Sequence, residues 1–268
     1  PGRPSRRRRT PPAAWRGGVD GTVYALHRFE DELYAGGAFK TAGGTDANGI
    51  ARWDGQKWKP LERGVRGGFN AVYALTSVGT NIYVGGDFTE VGGDPWTTAR
   101  GLARWFKEGN KEKWRGLEVE QVSVRALRGF NNRLLVGGRF TGIGDATSQN
   151  IAELSPTKEW ISFGAGVSSV NLSDVSAIEP FGADIFCGGL FEQAGNQRIP
   201  GVARWTGAGW SSAGGGVDLG FNQGSQAVTV VGSRVYVLGG FQSAGPIRVN
   251  GAAEWTGAGW LAMADGVP

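Results

Sequence analysis

The chain has 268 residues, with 28 lysines and arginines against 24 acidic residues, 48 glycines and a single cysteine. That length holds one or two ordinary domains. The lone cysteine excludes an internal disulfide, and no apolar run approaches the ~20 residues that span a bilayer. So much glycine would suggest disorder, but here it recurs at fixed intervals among Trp, Phe and Val, which argues for an ordered repeat.

Residues 1–14 form a Pro/Arg-rich tail with Arg3, Arg6, Arg7, Arg8 and Arg9 and no acid. Without those five arginines, 23 basic residues face 24 acidic ones, so the excess positive charge belongs to the tail and not to the body. Arg6, Arg7, Arg8 and Arg9 would suit an anionic polymer, membrane surface or acidic partner. The plainer reading is a solvated leader or the remnant of a precursor, and a first residue of Pro1 fits a processed form or a fragment.

From Trp15 to residue 268 one pattern returns five times. Its marker is the glycine segment Leu33-Tyr34-Ala35-Gly36-Gly37-Ala38-Phe39, echoed at Ile82 to Phe88, Leu134 to Phe140, Ile185 to Phe191 and Val235 to Phe241. The first glycine position falls at 36, 85, 137, 188 and 238, giving steps of 49, 52, 51 and 50 residues. Each copy divides into four short stretches with strand chemistry. The first is a small apolar run such as Val23-Tyr24-Ala25-Leu26, the second the glycine segment, the third Gly49-Ile50-Ala51-Arg52-Trp53 and its equivalents. The fourth begins at Trp58, Trp114, Trp160, Trp210 and Trp260. In the third copy Leu154 replaces the tryptophan of the third stretch.

A repeat of roughly 40–50 residues carrying several strands predicts an all-β chain: a five-bladed β-propeller of four-stranded antiparallel blades, a single domain over 15–268. Small first strands suit a crowded axis. Phe39, Trp53, Trp58 and their equivalents read as filling between blades, each able to bury ~150–250 Å². The paired glycines read as close packing of neighbouring sheets, with Leu238 the one exception at the first position. Trp15 to Val19 looks like a sixth fourth-strand copy. The expected arrangement has residues 258–264 complete the last blade, with the Trp15 segment packed beside it; the reverse arrangement, with the Trp15 segment closing the ring, stays open.

The repeats resemble kelch repeats, and more closely the kelch-like repeats of secreted bacterial surface proteins and the ectodomain of fungal cortical polarity markers. Gly36-Gly37-Ala38-Phe39, Ala42-Gly43-Gly44, Ala51-Arg52-Trp53-Asp54-Gly55 and Trp58 carry the likeness. The third copy departs from it at Gly142 and Ile143-Gly144-Asp145. The resemblance implies a propeller used for binding or as a structural part, and an extracellular or cell-surface location.

Catalytic chemistry finds little footing. With His27 alone, neither a histidine-based triad nor a histidine-based metal cluster can be built, and no cofactor is expected. His27 reads as an ordinary polar residue at a strand end, and Cys187 as a small buried hydrophobe. Asp20, Asp31, Glu32, Asp46, Asp87 and Asp94 have no distinguishing spacing for paired-carboxylate work. Asn171-Leu172-Ser173 is an isolated glycosylation-type tripeptide that carries little weight. The better lead is the set of loops joining second and third strands, which end in dissimilar polar residues: Asp46 and Asn48, Thr98 and Arg100, Ser148 and Asn150, Gln197 and Arg198, Arg248 and Asn250. Trp96, outside the repeated positions, would anchor an interface or fold back over its blade.

The expected function is therefore a non-catalytic propeller acting as a protein–protein interaction module or as a structural subunit of a larger assembly. A lectin-like propeller with one composite glycan site is the alternative, and a polysaccharide-active enzyme comes third.

Overall fold

The computed structural model describes residues 17–117, 119–120, 122–219 and 224–263. Trp15, the arginine tail and the end of the 258–264 segment lie outside them. The described residues are all β, with five four-stranded antiparallel sheets in succession. The first holds Thr22–Phe29, Glu32–Ala38, Ile50–Trp53 and Trp58–Pro60; the second Ala71–Val78, Asn81–Asp87, Leu102–Glu108 and Lys111–Gly116. The third holds Ser123–Phe130, Arg133–Arg139, Ile151–Leu154 and Trp160–Ser162; the fourth Asp174–Phe181, Asp184–Leu190, Val202–Trp205 and Trp210–Ser212. The fifth holds Ser225–Val231, Arg234–Gly239, Ala252–Trp255 and Trp260–Ala262. Within each sheet the strands lie side by side in chain order, so every link is a hairpin. Asn131 and Asn132 show how tight these are: both adopt positive φ (48° and 59°) in a two-residue turn between Phe130 and Arg133, where Asn is well suited.

The two glycines of each pair do different work. Every first strand carries a bulge, between Val23 and Ala25, Val72 and Ala74, Val124 and Ala126, Val175 and Ala177, Ser225 and Ala227. The second glycine lies against that bulge. A Cβ on Gly37 would fall 2.0 Å from the Thr22 carbonyl oxygen, and one on Gly239 2.3 Å from that of Gly224. The first glycine faces the next sheet instead: a Cβ on Gly36 would meet Val72 Cγ1 at 2.5 Å, on Gly85 Val124 Cγ1 at 2.4 Å, on Gly137 Val175 Cγ1 at 2.5 Å. Gly188 meets Ser225 Oγ at 2.3 Å. The expected close packing of neighbouring sheets thus belongs to the first glycine, while the second shapes its own sheet.

The repeated aromatics fill the space between sheets, as their positions suggest. Phe39, Phe88, Phe140, Phe191 and Phe241 are all buried. Trp53–Trp58, Trp105–Trp114, Trp205–Trp210 and Trp255–Trp260 stack tilted or edge-on at 5.1–5.7 Å. Three outer tryptophans also tie one repeat to the one before, Trp114 Nε1 donating to the Leu61 carbonyl at 3.2 Å, Trp210 to Phe163 at 2.8 Å and Trp260 to Ala213 at 2.7 Å.

Each first strand packs on that of the following sheet, from the first through to the fifth, but no comparable packing joins Ser225–Val231 to Thr22–Phe29 among the described residues. Val23 is 38% and Leu26 64% exposed, whereas Val72 and Leu75 at the same places in the second sheet are 0% and 8% exposed. Trp260–Ala262 completes the fifth sheet by pairing with Ala252–Trp255, as expected. The fifth sheet also differs from the other four at the first glycine position, where it carries Leu238. It stands where the other sheets place a glycine against Val72, Val124, Val175 and Ser225 of the next sheet, and it is itself 36% exposed.

Candidate binding face

The start of each first strand, the loop arriving there and the hairpin between second and third strands all lie at one end of a sheet. The sequence reading places its variable binding loops here, and the structure ties those loops down. In the second repeat Glu90–Gly92 and Trp96–Thr98 form a small sheet with Val65–Arg66, the chain leaving the previous repeat. In the fourth, Gln193–Ala194 and Gln197–Arg198 do the same with Val167–Ser168. In the first and fifth, Val19 bridges Ala42 and Val217 bridges Ala244. The backbone groups of these loops need partners, and the departing chain supplies them.

Several predicted site residues brace this arrangement. Asn150 is buried: Phe140 N donates to its Oδ1 at 3.1 Å, and its Nδ2 donates to the Val167 carbonyl and to Ser173 Oγ, both at 2.8 Å. Ser148 is buried and donates to the Ile151 carbonyl at 2.5 Å. Asn48 Nδ2 donates to the Arg63 carbonyl at 2.8 Å, and Gln197 Nε2 to that of Trp210 at 3.1 Å. Asn48, Arg100 and Asn150 share positive φ (39°, 48° and 65°) just before a third strand, a demand Asn meets more readily than Arg. Asp46, Thr98, Arg100, Arg198, Arg248 and Asn250 remain exposed. Trp96 is half-buried and lies back on its hairpin, the Arg66 guanidinium 4.2 Å from its ring and paired through Nε to Glu90 at 2.6 Å. Arg6, Arg7, Arg8 and Arg9 lie outside the described residues.

The carboxylates scatter. Asp20 Oδ1 accepts from the Lys40 and Thr41 amides, both at 2.8 Å, and Asp87 accepts from the Phe69 amide at 3.3 Å. Glu32 pairs with Arg52 at 3.3 Å. His27 is half-buried, its Nε2 enclosed without a hydrogen-bond partner. Burial, then the charge of Arg128, lowers its pKa. Burial pushes the Cys187 thiol well above its ordinary range.

The more conspicuous surface was missed by sequence reasoning. Tyr24 and Tyr73, on the first strands of the first two sheets, lie 5.3 Å apart and tilted by 55°. The Arg125 guanidinium is 5.6 Å from the Tyr73 ring and its Nε is 3.6 Å from Asp174. Asp174 is further held by Arg139 at 3.5 Å and by the Ser176 hydroxyl at 3.0 Å. An aromatic and ionic strip therefore crosses four sheets. At the same end of the sheets, the arriving loops carry Phe69 and Val170, 79% and 84% exposed, with Leu172 also exposed. Two signals were available: Gly68-Phe69-Asn70 returns as Gly220-Phe221-Asn222, and Tyr24, Tyr73, Arg125 and Ser176 vary between a near-constant Val and a constant Ala.

No helix among the described residues is long and apolar enough to cross a membrane. No family model and no curated protein matches this chain. Among solved structures, the computationally designed protein Ika4 is similar at 18% identity, covering 70% of this chain and 92% of its own, with a TM-score of 0.42. The computationally designed Ika8 is similar at 16% identity, covering 91% of this chain and 74% of its own, with a TM-score of 0.47.

Proposed function

We propose that the five sheets are kelch-like blades of a β-propeller and that the chain is a non-catalytic protein–protein interaction module, or a structural subunit of a larger assembly at the cell exterior. The observation that carries this reading is the pair Phe69 and Val170, 79% and 84% exposed on loops at the same end of their sheets as Tyr24 and Tyr73. Exposed apolar side chains at the same end of the sheets as aromatic and arginine groups match the composition of an interface core. Each would gain roughly 25 cal/mol for every Å² of apolar surface a partner covers. The irregular loop chemistry suits one partner on a composite surface better than five equal sites.

The test is capture of binding proteins from the source organism on the full chain and on a Phe69→Ser/Val170→Ser variant. A defined complex retained by the parent at physiological salt and lost by the variant supports the reading. A sugar-competable hit on a glycan array, with no protein retained, overturns it in favour of the lectin alternative.

A further inference from the structure

We infer that the gap between the second and third sheets is a binding site for a small organic anion that carries its carboxylate on a ring. The site goes beyond the loop face proposed above and shares no residue with it.

The gap has a cause in the sequence. At three other joints, two tryptophans of the later sheet pack on the repeat before it: Trp105 and Trp114 with Leu61, Trp205 and Trp210 with Phe163, Trp255 and Trp260 with Ala213. Between the second and third sheets, Leu154 stands in place of the first tryptophan of the pair. The smaller side chain borders a cleft of about 820 Å³, a volume inside the ~300–1,000 Å³ range of small-molecule sites. Trp160 is only half-buried there, whereas Trp114, Trp210 and Trp260 are buried.

Each wall is one row of side chains across a sheet. Tyr83, Arg104 and Arg115 are register partners in the second sheet, and Leu134, Leu154 and Trp160 are register partners in the third. All six line the cleft. One wall thus offers two guanidiniums and a phenol, the other an apolar surface ending in a partly open indole.

The positive charge on the first wall is unanswered. In the first sheet Arg52, the counterpart of Arg104, is held by Glu32 at 3.3 Å and by Glu112 at 2.5 and 2.7 Å. One joint later, Asn81 takes the place of Glu32 and Lys158 takes that of Glu112. No ion pair holds Arg104, Arg115 or Lys158 among the described residues, and Asp145 is the one carboxylate among the described residues of the lining. Arg104 and Arg115 stand opposite one another with their guanidiniums 4.5 and 5.7 Å from the same Phe106 ring. Like charges so placed weaken a sheet. A carboxylate set against them relieves the repulsion and accepts paired N–H donors, and the ring that carries it covers Leu154 and Trp160.

Benzoate and glucuronate are the two probes, one with an aromatic ring and one with a sugar ring. Calorimetric titration of the full chain should show saturable binding of at least one of them, and the tighter of the two assigns the ring. Acetate, benzyl alcohol and glucose, which lack the ring or the charge, should bind at least about tenfold more weakly. Two substitutions restore what other repeats carry: Leu154→Trp refills the gap, and Asn81→Glu returns a partner to Arg104. Each should weaken the bound probe by about tenfold or more, with an unfolding midpoint no lower than the parent's; should one fail to fold, the other still decides. The probe should raise the parent's unfolding midpoint and leave that of Leu154→Trp unchanged. The site is overturned if neither probe binds, if benzyl alcohol matches benzoate where benzoate is the tighter probe or glucose matches glucuronate where glucuronate is, or if binding survives in either folded variant. The Phe69→Ser/Val170→Ser chain should bind the probe as the parent does, so this site and the loop face fail separately.

Discussion

Arg133 and Glu153 form the cross-strand ion pair that Glu32 and Arg52 form in the first sheet, with the two charges exchanged. Asp184 and Arg204 keep the first polarity in the fourth sheet, and Arg234 and Glu254 keep the exchanged one in the fifth. The second sheet keeps the arginine as Arg104 but has Asn81 at the place of the acid. Glu153 is buried, with Arg133 Nη1 3.1 Å from its Oε2.

Arg133→Ala should destabilise by about 1–3 kcal/mol, the cost of leaving a buried acceptor without its partner. The double exchange Arg133→Glu/Glu153→Arg should recover most of that loss. Denaturant unfolding of the three chains checks both, and a double exchange no better than the single variant would show that the pair is not the cause.

The glycine pairs predict an order of damage. Gly86→Ala drives a Cβ to 2.0 Å from the Ala71 carbonyl oxygen, whereas Gly85→Ala meets the Val124 side chain at 2.4 Å. A side chain yields more readily than hydrogen-bonded backbone. Gly86→Ala should therefore be the worse of the two, and Gly85→Ala should fall near the ~1–3 kcal/mol of overpacked cores. Thermal unfolding of the pair decides it.

Phe88→Ala should cost ~3–5 kcal/mol, since the ring is fully buried between sheets and truncation leaves a cavity. Phe69→Ala, at a ring mostly in solvent, should shift the unfolding midpoint little while weakening partner capture. Equal midpoints for Phe88→Ala and the parent would remove that ring from the core.

Two titrations should show in the stability profile. Burial raises Tyr34 from 10.0 to about 12. Its contribution is complete below pH 10, where the unfolded tyrosine keeps its proton, and is lost as pH rises from 10 towards 12. Tyr34→Phe should flatten that alkaline limb. His27 is lowered from 6.5, so its contribution is complete above that pH and declines as pH falls below it, when only the unfolded chain takes up the proton. His27→Gln should remove this acid component. Denaturant midpoints across the pH range, compared with each variant, check both.

The sequence was most legible where the physics repeats. Four strands per copy, buried phenylalanines and paired tryptophans follow from alternation and spacing alone. Asn48 and Asn150 were harder to read, because polarity in a loop signals either a ligand or a backbone in need of partners. The backbone they brace, at Arg63 and Val167, belongs to the departing chain, which lies 15 and 17 residues away. The Tyr24–Tyr73–Arg125 strip was hard to see because its members come from different repeats and are joined only by the packing of first strands. Leu238 was visible as an exception, but its meaning depended on knowing that Gly36 answers to the next sheet and Gly37 to its own.

That division of labour bears on how such a chain can be lengthened or shortened. A sheet keeps its own bulge whatever stands beside it, so a whole copy can be duplicated, deleted or transplanted with its shape intact. The editing needed afterwards is confined to the seam between one copy and the next, where the first glycine of a pair must meet side chains that leave it room.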